Sequence, residues 1–121
     1  MNVLDAVVRF DEASVLAQAT GHRDPAHPLR RDGMLPITAG IEYGAQAAAA
    51  HGALTGNEGA GMLASMRGVH FHAHRLDDVA GPLDVEATQV GGGDSGVIYD
   101  FRVSGEGRTL VEGRVTVAFL R

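Results

Sequence analysis

Residues 36–52 of the chain read PITAGIEYGAQAAAAHG and differ in character from the segments around them. They contain six alanines and, after the first residue, no proline, which favours a helix. Pro36 suits the first turn of a helix and Gly52 suits its end. We predict a helix from about Ile37 to His51, which would be ~22 Å long at ~1.5 Å per residue. Because nearly every face of it is small or apolar, we expect the helix to be buried.

The chain before this helix predicts a β-hairpin followed by a loop. Residues 3–10 are rich in β-branched side chains, residues 11–13 form a polar turn, and residues 14–20 form a second short strand. Residues 21–33 are polar and contain two prolines, which indicates a loop.

The chain after the helix predicts four strands. A glycine-punctuated loop at 52–61 is followed by a strand at 62–74. Apolar and polar residues then alternate with a period of two in three further segments, at 83–88, 97–103 and 111–119. Glycine-containing turns at 91–94 and 104–107 separate them. Two strands, a helix and four strands predict an α+β domain, with an antiparallel sheet of five or six strands curled round one buried helix.

Length and composition limit the classes of protein that remain. A chain of 121 residues is expected to form one domain, spanning 1–121. It has no cysteine, which excludes disulfides, thiol nucleophiles and cysteine-ligated metals. Its formal charge of −5 argues against a nucleic-acid partner. No apolar run is long enough to span a membrane and the N-terminus has no secretory pattern, so we expect a cytoplasmic protein.

One polar stripe interrupts the apolar helix. Thr38, Glu42 and Gln46 recur every four residues and therefore share a face. A carboxylate on a buried helix is costly unless it is paired or protonated. Glu42 is therefore either a structural residue, bonded to Gln46 or reaching solvent at the sheet edge, or a general acid whose pKa is raised by apolar surroundings.

The stretch LPITAGIEYGAQ at residues 35–46 resembles the central-helix motif of the 3-hydroxyacyl-(acyl carrier protein) dehydratases of the FabZ and FabA type, which have the hot-dog fold. In that family a proline lies six residues before the catalytic acid, and in FabZ enzymes a glutamine follows four residues after it. Pro36, Glu42 and Gln46 reproduce both spacings. The segment His27-Pro28-Leu29 occupies the place of the family's catalytic histidine. The sequence of residues 27–46 resembles most closely that of the small predicted dehydratases of aryl polyene and related pigment clusters.

The resemblance implies a role for each matched residue. His27 would be the base for the C2 proton of a 3-hydroxyacyl thioester, and Glu42 the acid for the departing hydroxyl. The N–H groups of Ile37 and Thr38 at the helix start would stabilise the thioester oxygen, with Gln46 in a positioning role. The resemblance implies no metal and no cofactor. It also implies that His27 of one chain faces Glu42 of another, in a homodimer or in a heterodimer with a second hot-dog subunit.

A small basic patch lies beside these residues. Arg30 and Arg31, with Arg23 nearby, are candidates for docking an acidic acyl carrier protein or the phosphate of a phosphopantetheine or coenzyme A thioester. The alternative is an ordinary solvated loop.

The remaining histidines are assigned no catalytic role. His51 falls in the last helical turn, where a cation suits the helix dipole. His70, His72 and His74 have a period of two and would share one strand face. Such a face could bind zinc or copper, but nothing nearby completes a familiar motif. We expect instead a solvent-facing stripe, with Val69, Phe71 and Ala73 packed inward, and no metal.

Two other functions stay open beside the dehydratase. The family's Pro-Gly-His-Phe-Pro setting of the histidine is absent, and Ile37 replaces the glycine that usually follows the helix-initiating proline. These differences favour a non-catalytic hot-dog subunit that partners an active dehydratase. A hot-dog thioesterase would use Glu42 to activate water and would not need His27.

Overall fold

The computed structural model describes residues 2–56 and 60–120, which include one long helix and six strands. In chain order the elements are β1 (Ala6–Phe10), β2 (Ser14–Ala19), a short 3-10 turn (Gly21–Arg23), α1 (Ala39–Leu54), β3 (Ala60–Phe71), β4 (Leu83–Gly93), β5 (Gly96–Gly105) and β6 (Arg108–Leu120). The predicted order of two strands, a helix and four strands is confirmed. Of the loop expected at 52–61, residues 57–59 lie outside the described residues.

The six described strands form one antiparallel sheet in the order β1-β2-β4-β5-β6-β3. The predicted hairpin of β1 and β2 is present, and its turn is held by the side chain of Asp11, which accepts hydrogen bonds from the N–H groups of Ala13 and Ser14. Within the described part of the chain, β1 and β3 are the edge strands.

The alternation in β4 and β5 separates a buried face from an exposed one. Val85 pairs with Val103, and both side chains are fully buried. The neighbouring pair, Glu86 and Arg102, points to the outer face and is exposed. The inner face of the sheet forms the core together with one side of α1. The period-two prediction for these strands is therefore confirmed.

Helix α1 lies against β2, β4, β5 and β6, and two of its glycines set the distance. A Cβ atom at Gly44 would collide with the ring of Phe101, and one at Gly40 would collide with the side chain of Val111. These helix positions need glycine because the sheet approaches the helix backbone too closely for a side chain.

The helix differs from its prediction at both ends and in its burial. It begins at Ala39 rather than near Ile37, because the preceding residues pair with a distant segment instead of continuing the helix. It passes through Gly52 and ends at Leu54, and Gly56, with φ of +91°, follows its end. The prediction of a helix buried on all sides is wrong for the single chain, since Ala49 and Ala53 on the outer side are exposed.

Candidate active site

Two residues of the polar stripe, Glu42 and Gln46, form a hydrogen-bonded chain that reaches the N-terminal segment. The Gln46 side-chain amide donates from Nε2 to Oε1 of Glu42 at 2.9 Å. Its carbonyl oxygen accepts the N–H of Val3 at 2.8 Å. Glu42 is half-buried, and Thr38, one turn earlier, is exposed. The shared face predicted for these residues is confirmed, and the bond between Glu42 and Gln46 is the one that the structural interpretation of Glu42 anticipated.

Glu42 opens onto a groove of about 360 Å³ beside the helix start. The groove has mainly apolar walls, and its polar groups are Glu42, Thr38 and Arg31. The apolar walls come from the loop before the helix, from the first helical turn and from edge strand β3, namely Leu29, Pro36, Ala39, Ile41 and Met66. A carboxyl group at the wall of an apolar groove is suited to act on a largely apolar ligand with one polar end.

His27 is held against the same helix by Tyr43. The Nε2 atom of His27 lies 3.0 Å from the Tyr43 hydroxyl oxygen, and the two rings stack with centroids 6.1 Å apart. The Nδ1 atom accepts the backbone N–H of Leu29 at 3.1 Å. Because Nδ1 is an acceptor here, the neutral ring carries its proton on Nε2 and donates it to Tyr43. Both ring nitrogens are thus engaged within the chain.

The surroundings of His27 favour the uncharged ring. Partial burial, with a smaller contribution from the positive charge of Arg30, lowers the pKa of His27 below its ordinary value of 6.5. Burial also raises the pKa of Tyr43 to about 12, so its hydroxyl keeps its proton at neutral pH. A neutral imidazole beside a neutral phenol is compatible with later proton transfer at His27.

His27 and Glu42 do not meet within one chain. Among the described residues, no hydrogen bond or ion pair joins them, and His27 is absent from the walls of the groove that holds Glu42. The site composed of two chains therefore stays a prediction. The residue that does contact His27 is Tyr43, the neighbour of Glu42 in sequence but on a different face of the helix.

The helix start offers fewer free N–H groups than expected. The expectation of a free donor at Ile37 is wrong, because its N–H donates to the carbonyl of His74 at 3.0 Å. This bond belongs to a short antiparallel contact in which Pro36 pairs with Arg75. The N–H of Thr38 has no acceptor among the described residues, and Thr38 lines the groove. Its role as an oxyanion donor stays a prediction.

The two arginines of the basic patch are in different situations. Only 17% of the Arg30 side chain is exposed, and its guanidinium donates to the backbone carbonyls of Arg23, Asp24 and Gly33. It is therefore not free to dock a carrier or a phosphate. Arg31 is exposed and lines the groove, although its Nη1 atom donates to the carbonyls of Pro28 and Arg30. The docking interpretation stays a prediction for Arg31.

Sequence reasoning missed two residues that organise this region. Tyr43 was part of the quoted motif but carried no assigned role. Asp77 accepts hydrogen bonds from the N–H of Leu35 and from the guanidinium of Arg75, which holds the pKa of Asp77 well below its usual range. No local pattern distinguishes Asp77 from any other loop aspartate, since its partner Leu35 lies 42 residues away.

His51 and His22 are structural. His51 is fully buried, with Nδ1 2.6 Å from the Tyr99 hydroxyl and Nε2 2.9 Å from the carbonyl oxygen of Asp11. His51 lies in the last turn of α1, as predicted. His22 is also buried and bonds through Nε2 to the carbonyl of Val79.

The predicted stripe of three histidines does not form on one strand, because β3 ends at Phe71 and leaves His72 and His74 outside it. All three of these histidines are exposed, and His72 pairs with Glu112 at 2.9 Å. Phe71, expected to pack inward, is 45% exposed. Within residues 2–56 and 60–120, no group of three or more His, Asp or Glu side chains is arranged to hold a metal ion. No helix in the same residues is long and apolar enough to cross a membrane.

Comparison with known proteins places the chain among hot-dog proteins. A family model described as "ApeP-like: ApeP dehydratase" matches residues 1–119. Among curated proteins, none matches the chain significantly. The dehydratase heterocomplex ApeI:P from Xenorhabdus doucetiae superposes with a TM-score of 0.86 at 24% identity, over 99% of this chain and 84% of that one.

Two further solved structures share the fold at lower similarity. AziG from S. sahachiroi has a TM-score of 0.72 and 21% identity, and the match covers 96% of this chain and 90% of that one. A hypothetical thioesterase with coenzyme A from Streptococcus pneumoniae has a TM-score of 0.70 and 14% identity, over 95% of this chain and 84% of that one. At these identities the likeness shows the hot-dog fold, which confirms the fold predicted from the sequence.

Proposed function

Since the chain belongs to the ApeP-like family of dehydratases, we propose that it dehydrates a 3-hydroxyacyl thioester to the trans-2-enoyl thioester. The observation that carries the proposal is Glu42 at the wall of an apolar groove, beside Thr38, whose N–H has no acceptor in the part of the chain that the structure describes. An acyl chain fits apolar walls, and the carboxyl group and the N–H are the two polar functions needed at its reacting end.

The reaction removes a proton from C2 and a hydroxyl group from C3, and releases one molecule of water. We assign proton removal to His27, and protonation of the leaving hydroxyl to Glu42. The electron pair left at C2 spreads onto the thioester oxygen, and we assign its stabilisation there to the N–H of Thr38. As the protonated hydroxyl leaves C3 as water, that pair forms the C2–C3 double bond.

His27 acts as a base only after one of its hydrogen bonds opens. Its Nδ1 lone pair is used by the N–H of Leu29, and its Nε2 proton is shared with Tyr43. Opening the contact with Leu29 frees the Nδ1 lone pair for the C2 proton, while Nε2 keeps its proton and its bond to Tyr43. We propose that docking of a second subunit, with its substrate, favours this rearrangement.

A second subunit is part of the proposal, because His27 and Glu42 of one chain do not meet. The outer side of α1 and the edge strands β1 and β3 are uncovered in the single chain, so they provide surface for a partner. The similar dehydratase ApeI:P is a heterocomplex. We propose a two-chain assembly with either a second copy or another hot-dog subunit.

The carrier of the substrate is proposed on charge and chemistry. Arg31 is exposed at the groove that holds Glu42, where a guanidinium would pair with the phosphate of a phosphopantetheine arm. We propose an acyl carrier protein as the natural carrier, with acyl coenzyme A as the alternative, and a cytoplasmic reaction. The neighbour from Streptococcus pneumoniae was solved with coenzyme A.

One assay separates this function from its rivals. The purified chain, alone and with a candidate partner subunit, is incubated with a 3-hydroxyacyl thioester while enoyl absorbance and free thiol are followed together. A dehydratase produces the enoyl signal without thiol, whereas a thioesterase releases thiol without the enoyl signal. If neither signal appears under either condition, or if the signal needs the partner but survives Glu42→Gln in this chain, the catalytic proposal is wrong and a non-catalytic subunit is favoured.

A further inference from the structure

The loop that carries His27 is folded round the side chain of Arg30. The guanidinium donates from Nε to the carbonyl of Asp24 at 2.9 Å, from Nη2 to that of Arg23 at 3.1 Å and from Nη1 to that of Gly33 at 3.1 Å. These carbonyls lie on both sides of His27 in sequence. We call the guanidinium with its three carbonyl acceptors the Arg30 cage.

The cage is joined directly to the backbone of His27. The Asp24 carbonyl that accepts from Arg30 also accepts the N–H of His27 at 3.0 Å. In turn, the carbonyl of His27 accepts the backbone N–H of Arg30 at 3.1 Å. Both main-chain polar groups of His27 are therefore fixed by Arg30 or by a carbonyl that Arg30 holds.

A buried carboxylate anchors the cage to the rest of the domain. Nη1 of Arg30 lies 3.5 Å from Oδ2 of Asp77, whose side chain is only 7% exposed. Asp77 also accepts the N–H of Leu35, just before the helix start that lines the groove. The loop of His27 and the start of the helix that carries Glu42 are thus tied to one aspartate.

We propose that Arg30 is a positioning residue, which holds the His27 loop in the geometry that the reaction requires and does not bind the carrier. The expected effect of Arg30 on catalysis rests on the proposed function. Its expected effect on the ring of His27 rests on the geometry alone. A planar guanidinium with donors in several directions can satisfy three carbonyls at once, whereas a lysine ammonium on a flexible stem cannot keep the same arrangement. The nearby positive charge also contributes to the lowered pKa of His27, after burial.

The first test needs no activity. In protein labelled with ¹⁵N-histidine, a His27→Ala spectrum assigns the ring signals of His27, and these are then followed from low to high pH. For the wild type we expect one neutral form, with the proton on Nε2, and a pKa below the ordinary value. Arg30→Met is expected to raise that pKa and to mix the two neutral forms. Arg102→Gln, which removes a charge from the exposed outer face, is the matched control and should leave both unchanged.

The second test separates positioning from charge and from docking. Arg30→Lys keeps the charge and loses the cage, so we expect kcat to fall about 10²-fold with KM little changed, as for a misplaced catalytic group. Arg31→Gln is expected to raise KM instead. A Lys variant with wild-type kcat, or ring signals of Arg30→Met identical to those of the folded wild type, overturns the proposal.

A failure of the Arg30 proposal can be distinguished from a failure of the proposed dehydratase function. If Arg30→Met does not fold, the ring signals of Arg30→Lys decide the matter, since a mixture of ring forms supports the cage and a single form opposes it. If the wild type lacks dehydratase activity, the proposed function fails while the spectra still decide the role of Arg30.

Discussion

The Nε2 atom of His27 lies 3.0 Å from the hydroxyl oxygen of Tyr43, the residue that follows Glu42 on the central helix. Glu42 and the residue that holds His27 are therefore adjacent helix positions that face different directions. Glu42 turns to the groove and Tyr43 turns to the loop of His27. The helix thus carries Glu42 and the hydrogen-bond partner of His27, while no hydrogen bond or ion pair joins these two proposed catalytic groups among the described residues.

Removing the Tyr43 hydroxyl should release the ring of His27. In Tyr43→Phe the buried aromatic ring stays, but the hydrogen bond to Nε2 is lost. We expect the free energy of unfolding to fall by ~0.5–1.5 kcal/mol, the usual net value of such a bond. Denaturant unfolding measures this loss. Tyr99→Phe, which removes a hydroxyl bonded to His51 instead, is a comparison variant that should leave the His27 ring signals unchanged. Unaltered signals in Tyr43→Phe would contradict the contact.

Changing either proposed catalytic group should abolish the reaction while leaving the fold intact. Glu42→Gln keeps the shape of the side chain but removes its acidic proton, and His27→Ala removes the base. We expect each to lower the rate of enoyl formation by ~10²–10⁴-fold, the usual contribution of a general acid or base. Circular dichroism checks the fold of both variants. If His27→Ala is fully active while Glu42→Gln is inert, the thioesterase alternative gains support.

Mixing the two inactive variants should restore activity if the chain forms a two-fold homodimer. Random exchange makes about half of the dimers hybrid, and each hybrid has one intact site of two, so about a quarter of the wild-type sites return. Enoyl absorbance before and after mixing measures the recovery. Sedimentation of the wild type is the prior check, since a monomer would exclude this model. No recovery despite subunit exchange points to a heterodimer or to a site within one chain.

The pH dependence should follow the lowered pKa of His27. A base must be uncharged, so activity is expected to persist below pH 6.5 and to fall only near the lower folded-state pKa. The free energy of unfolding should change with pH in the same direction as the activity, falling as the pH falls. The unfolded chain binds the proton more readily, so the contribution of His27 is full above its ordinary pKa and is lost as pH falls from there towards the folded-state pKa. A rate profile against pH, with an acidic limb at or above the ordinary value, would contradict the prediction.

Close contact between helix and sheet predicts a large effect at Gly44. In Gly44→Leu the new side chain would meet the ring of Phe101, which is itself buried. We expect the free energy of unfolding to fall by ~1–3 kcal/mol through overpacking. Ala53→Leu, at an exposed position of the same helix, serves as the control and should change stability little. Equal unfolding midpoints for the two variants would show that the helix does not pack as described.

Local sequence patterns were enough to predict the order of the strands and the helix, and to identify the helix motif. The alternation in β4 and β5 was readable because side chains of a strand point to opposite faces in turn, and burial selects one of them. The four-residue spacing of Glu42 and Gln46 put them on one side of a helix, and the structure joins them at 2.9 Å. Such features depend on neighbours within about one helical turn or on one strand, so a local pattern carries them.

The contacts between these elements could not be predicted from the sequence and required the folded structure. Ile37 was expected to offer a free N–H, but a distant segment reaches it through His74. Arg30 was expected to dock a ligand, but its guanidinium is occupied by loop carbonyls and lies beside Asp77. The physical reason is the same in both cases. A hydrogen bond between residues far apart in the chain depends on where folding brings their backbones, and no periodicity in the sequence records that distance.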